Sequence, residues 1–255
     1  MSLIRLDFLS KYLEMHTAVN IALPMPADAD APMEDIPSVI LLHDMGDDDS
    51  AWMRNVPVER YALEKGAAVI MPDGMLSCYE NMRYGGAFRS YIGKELMDIL
   101  CAYLPLSRRR EKRFIAGCGM GGRGALKFAL EHPENYAAAG VFSASHIEAE
   151  ARNENEKTAL FRAYGDDAGA CRRFIEEKTA ETAANGPAIC IYHAACDAGA
   201  DENLRATRAL FENAGGKIDY RFESLPGKDN WASRERMFAR FMDMIDIAAP
   251  EVPVK

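Results

Sequence analysis

The sequence predicts an α/β fold built on a mainly parallel, doubly wound sheet flanked by helices. Three observations predict it. Short apolar runs without alternation recur along the chain, as in Ser38 to His43 (SVILLH), and suit strands covered on both faces. Segments of helical period separate these runs, and strand alternating with helix implies parallel crossovers. The 255 residues are 49% apolar and carry no Pro/Gly-rich or charged spacer, which favours one large domain over 1–255 rather than two small ones.

In chain order, the first two dozen residues alternate apolar and polar (Ile4, Leu6, Phe8, then Val19, Ile21, Leu23), which suggests an antiparallel pair starting the sheet. The segment ADADAPMEDIP reads as a surface loop. Ser38 to His43, Ala67 to Met71, Arg113 to Ala116, a run ending near Phe142 and Ala188 to Tyr192 read as buried strands. Helical patterns lie at about Pro57 to Lys65, Phe88 to Tyr103, Arg123 to Glu131, Asp201 to Asn213 and Ala232 to Ile247. The charged, Ala-rich interval 147–184 breaks this rhythm and reads as a small helical cap, of the kind that shapes a pocket above a sheet.

Composition excludes several classes. A net charge of -9 argues against nucleic acid or an anionic membrane as partner. The chain has no apolar stretch of roughly 20 residues and begins MSLIRLDF, without the regions of a signal peptide, so a soluble cytoplasmic protein is expected. Six cysteines (Cys78, Cys101, Cys118, Cys171, Cys190, Cys196) without C-x-x-C spacing point to free thiols, and neither a metal nor a cofactor is expected.

The run Lys112 to Gly124, KRFIAGCGMGGRG, is a strand followed by a glycine-dense turn and then a helical pattern. That is the layout of a nucleophile elbow, the G-x-S-x-G turn that holds a serine hydroxyl above a sheet. Here the pentad is Gly117, Cys118, Gly119, Met120, Gly121, so the turn glycines are kept and the hydroxyl is absent.

With these residues the chain resembles the esterase D-like family of α/β-hydrolases, which includes S-formylglutathione hydrolases, feruloyl esterases and, closest in motif order, bacterial tributyrin esterases. Five segments carry the likeness in order: LLHDMGDDDSAW from Leu41, the Tyr84-Gly85 loop, IAGCGMGG from Ile115, CDAGADENL from Cys196 and PGKDNW from Pro226. The resemblance implies an α/β-hydrolase fold and an esterase ancestry. It places the nucleophile on Gly119, the triad acid on Asp197, and the general-base histidine on Asp229, or on Lys228 if one residue is inserted. It also places Asp44, Met45 and Met120 at the oxyanion side of the pocket, with Asp44 where a glycine usually follows the histidine.

Glycine cannot attack a carbonyl, and an aspartate, with a reference pKa of about 3.9, is a poor proton shuttle near neutral pH. A carboxylate beside an oxyanion hole opposes the charge that develops there. The expected function is therefore an esterase-family protein with a degenerate triad, inactive as a serine esterase, with a small-molecule ligand or ester-like substrate in its pocket; self-association is left open. The alternative is an active hydrolase or acyltransferase using a rearranged set. For that reading Cys118 is the tempting thiol, although a residue preceding the nucleophile usually packs inward, and His43, His146 and His193 are the histidines to follow. The acidic run Asp44, Asp47, Asp48, Asp49 reads either as a solvated capping loop or as a hard-cation site. Arg83, Arg89 and Arg123 suit an anionic ligand or a solvated surface, and Trp52 and Trp231 read as packing anchors.

Overall fold

The structure is a computed structural model that describes residues 1–25, 33–144, 153–167, 169–182, 186–196, 200–213, 218–245 and 247. A hairpin of β1 (Ser2–Ser10) and β2 (Met15–Leu23) opens the chain, paired Ile4 to Ile21 and Leu6 to Val19 as the alternation predicts. There follow β3 (Ser38–Leu42), α1 (Ala51–Asn55), α2 (Val58–Lys65) and β4 (Ala68–Pro72). Next come α3 (Phe88–Ser90), a π turn (Tyr91–Glu95), α4 (Leu96–Tyr103), β5 (Arg113–Cys118), α5 (Met120–Glu131) and β6 (Ala138–Phe142). Two helices, α6 (Glu154–Tyr164) and α7 (Ala170–Glu181), precede β7 (Ala188–Ala194), α8 (Ala200–Asn213), β8 (Tyr220–Leu225) and α9 (Trp231–Met244).

The strands form one sheet in the order β1-β2-β4-β3-β5-β6-β7-β8, antiparallel at β1, β2 and β4 and parallel from β4 onward. Along β3 the buried side chains divide by parity. Ile40 and Leu42 join the cluster containing Leu96, Phe128 and Ile175, while Val39 and Leu41 join Trp52, Phe238 and Phe241. Helices α4, α5 and α7 thus cover one face and α1, α2 and α9 the other, which is why these strands read as unbroken apolar runs. Trp52 closes the second layer: its Nε1–H donates to Leu42 O at 3.1 Å, and its ring meets Trp231 edge-on at 5.3 Å. Both tryptophans are packing anchors.

Three expectations change. The helix expected from Arg123 starts at Met120, directly after the turn glycine. The helix expected over 88–103 is interrupted by the π turn, whose Glu95 carboxylate accepts from Ser10 Oγ at 2.5 Å and Lys11 N at 2.9 Å in the β1–β2 turn. Strand β8 has no counterpart in the sequence reading, because YRFESL is an edge strand whose exposed arginine and glutamate mask its alternation. Of the interval 147–184, residues 147–152, 168 and 183–184 lie outside the described residues, and α6 and α7 account for most of the rest.

Candidate active site

The turn between β5 and α5 is drawn as tightly as its glycines allow. Gly119 has φ +53° and ψ -115°, a conformation costly for any residue with a side chain. A Cβ added at Gly121 would come within 2.5 Å of Leu42 O and 2.6 Å of His43 O, so only hydrogen fits between α5 and β3. Gly119 N donates to Phe142 O at 2.9 Å, fixing the turn to β6.

Met120 is the first residue of α5, and the first N–H groups of a helix have no partner inside it. The Met120 N–H finds one across the sheet, donating to Asp44 Oδ1 at 2.8 Å. Met45 N donates to the same oxygen at 2.7 Å. Two backbone donors, from the β3–α1 loop and the start of α5, therefore converge on one point. The point is taken by the protein's own carboxylate. The helix dipole, positive at this end, favours the charge.

Asp44 is also tied on its other side. Arg234, in the first turn of α9, donates through Nη2 to Asp44 Oδ2 at 2.9 Å and to Asp229 Oδ2 at 2.8 Å, and through Nε to Asp229 Oδ1 at 3.1 Å. All three side chains are at most 20% exposed, so the group is a largely buried Asp–Arg–Asp chain. Burial works against the charged guanidinium, yet the bond to Asp229 and the nearby acids hold the Arg234 pKa above its ordinary value. Its Cζ lies 5.3 Å from the centre of the Trp231 ring.

Gly119 and Asp44 are sterically linked. A Cβ added at Gly119 would overlap the Asp44 carboxyl group, striking Cγ and both oxygens. Where the resemblance implies a serine side chain, the space is filled by Asp44.

The structure thus brings together Gly119, Asp44, Met45, Met120 and Asp229, all of them named from sequence. Asp197 and His146 lie outside the described residues. Arg234 was missed. The signal available was a basic residue in the first turn of a helix without an acid there, which opposes the helix dipole unless a carboxylate answers it. Of the two positions that the resemblance allows for the histidine, Asp229 is the one bonded to Arg234.

Other candidates have different places. Cys118 is fully buried in the layer with Trp52 and Phe238, and burial pushes its thiol pKa well above the ordinary value. His43 Nε2 accepts from Gly74 N at 2.8 Å, which puts the ring proton on Nδ1, donated to Asp44 O at 2.8 Å. Both nitrogens are spent on backbone. His193 lines, with Arg123, Leu126 and Thr207, a cavity of about 10 Å³ that has room for a single water.

The acidic run is dispersed. Asp48 Oδ1 accepts from Ser50 N and Oγ, Asp49 is held by Arg5 and Asn20, and Asp47 stays half-buried beside Asp44. Burial and the Asp44 charge raise the Asp47 pKa. Among the described residues no cluster of three or more His, Cys, Asp or Glu side chains is arranged to hold a metal ion.

The topology and the turn after β5 define an α/β-hydrolase fold. The Esterase family model ("Putative esterase") matches residues 10–232. An acetyl esterase of Caldicellulosiruptor saccharolyticus is 28% identical over 156 residues, and that match spans 58% of this chain and 58% of the relative. Among solved structures, the fluorophosphonate-binding serine hydrolase FphF of Staphylococcus aureus is 29% identical with a TM-score of 0.84, covering 96% of this chain and 98% of its own. The S-formylglutathione hydrolase FrmB of Staphylococcus aureus, also 29% identical, gives 0.81 over 96% and 98%. This chain belongs to the Esterase family of α/β-hydrolases.

Proposed function

We propose that this protein is an esterase-family member that has lost serine-dependent ester hydrolysis and acts on its scaffold as a non-hydrolytic binding or partner-regulating protein. One observation carries the reading: Asp44 Oδ1 receives the Met45 and Met120 N–H groups at 2.7 and 2.8 Å, where a substrate oxyanion would have to sit. Loss of one such donor typically costs about 10²- to 10³-fold in kcat. Here both are engaged, and by a negative charge. In this reading Gly119 is the vacant nucleophile position, Asp229 stands in place of the base, and Asp197 is the remaining acid of the ancestral set.

Neither Cys118 nor His43 supports a rearranged catalytic set. The Cys118 thiol faces the core, and His43 is saturated by backbone. We further take the chain as one domain with α6 and α7 as its cap, soluble and cytoplasmic; among the described residues no helix is long and apolar enough to cross a membrane.

The test is labelling by a fluorophosphonate probe. The natural protein is expected to remain unlabelled, while Asp44→Gly/Gly119→Ser/Asp229→His, which clears the donors and restores nucleophile and base, is expected to label. Stoichiometric labelling of the natural protein would overturn the reading.

A further inference from the structure

We propose that a cleft between the Glu80–Arg89 segment and helices α6 and α7 binds a small molecule bearing a carboxylate or phosphate group, held by Arg83 and Arg89. The cleft has a volume of about 280 Å³, and its walls include Glu80, Arg83, Arg89, Tyr164 and Phe174.

Its rim is built before any ligand arrives. Asn81 and Ala87 form an antiparallel bridge, and Met82 N donates to Gly86 O at 3.1 Å, closing a small hairpin with Arg83 near its tip. The hairpin docks on the C-terminal end of α6, where Arg83 N donates to Ala163 O and Tyr84 N to Arg162 O, both at 2.9 Å. These carbonyls have no acceptor role inside the helix, so the contact fixes the loop at little cost. Asn81 exchanges two hydrogen bonds at 2.9 Å with Ser90, the residue after Arg89, and so ties hairpin and helix together.

The charge balance leaves the cleft positive. Glu80 Oε1 is answered by the buried Lys127 Nζ at 2.5 Å, and Tyr164 OH lies 3.4 Å away. Arg89 lies over the Phe174 ring at 5.1 Å and forms ion pairs with Glu80 Oε2 at 3.6 Å and Glu131 Oε2 at 3.8 Å, both longer than a hydrogen bond. Arg83 is exposed, and its guanidinium has neither an ion pair nor a hydrogen bond among the described residues. Three cations therefore meet two carboxylates. In a chain of net charge -9, two guanidinium groups with hydrogen-bonding capacity to spare converge on one concave space with aromatic walls. Guanidinium groups match carboxylate and phosphate oxygens in pairs, and a preformed concave site with a few fixed polar groups is what small ligands use. This inference does not depend on the state of the Asp44 site.

Isothermal titration at constant ionic strength with inorganic phosphate, benzoate and neutral benzamide tests it, using the natural protein, Arg83→Gln, Arg89→Gln and, as a charge-matched control, Arg108→Gln. Arg108 is a surface residue paired with Asp98, remote in role from the cleft. Saturable binding of phosphate or benzoate, weakened at least about tenfold by Arg83→Gln and by Arg89→Gln and unchanged by Arg108→Gln, is expected; which anion binds identifies the headgroup. Because the Arg83 side chain holds no partner, Arg83→Gln is expected to fold and remains decisive if Arg89→Gln does not. Absence of saturable anion binding, equal binding by Arg83→Gln, or benzamide binding as well as benzoate would overturn the proposal.

Discussion

At Gly119 a single missing side chain and a single added one explain each other. Asp44 reaches the Met45 and Met120 donors only because nothing projects from position 119. Serine at 119 would meet the positive φ and the Asp44 carboxylate together, so Gly119→Ser alone is expected to cost about 3 kcal/mol in urea unfolding. In a double-mutant cycle, Asp44→Gly should restore at least about 1 kcal/mol of that cost, and strict additivity would show the two positions to be independent. Arg234 is the third member. Removing it leaves Asp44 and Asp229 as buried carboxylates without their shared cation, and Arg234→Ala should lose about 3 kcal/mol by the same measurement. A loss under about 1 kcal/mol would mean that water or another cation replaces it readily.

Among the elements, the β5–α5 turn sets what can react. It directs position 119 toward Asp44 and turns Cys118 into the opposite layer, among Trp52 and Phe238. In the folded protein iodoacetamide at mildly alkaline pH should modify the exposed Cys196 and spare Cys118, and both should react in urea; native modification of Cys118 would reopen it as a nucleophile. The buried strands and this turn were legible in sequence because covered parallel strands and close glycine packing each impose a local pattern. Motif order pointed to Gly119, Asp229 and Asp44, and the structure brings the three into one cluster. Their connection was not legible. Arg234 is 190 residues from Asp44, and no local period links an arginine at the start of α9 to a loop after β3. Strand β8 escaped for a related reason, since an edge strand keeps polar residues that a short pattern cannot distinguish from a loop.

For the molecule as a whole, the ionisable groups inside the fold set an alkaline limit. Burial raises the Cys190 pKa from 9.0 to about 11 and the Tyr136 pKa from 10.0 to about 12. Both groups stay protonated in the fold at pH values where the unfolded chain ionises. Their contribution is complete below about pH 9 and declines as pH rises toward 12, at most about 3 kcal/mol of it through Cys190. Stability measured by urea unfolding should therefore fall above pH 9, and Cys190→Ala should flatten the fall between 9 and 11; an unchanged slope would assign the alkaline limit to other groups. Family membership fixes the architecture, while activity rests on the site within it. The central claim is that the protein's own Asp44 fills the place of a substrate oxyanion. Hydrolysis of p-nitrophenyl acetate by the natural protein, beside Asp44→Gly/Gly119→Ser/Asp229→His, tests it most directly. The account predicts a rate equal to buffer for the natural protein and turnover in the variant, whereas saturable turnover by the natural protein would contradict it.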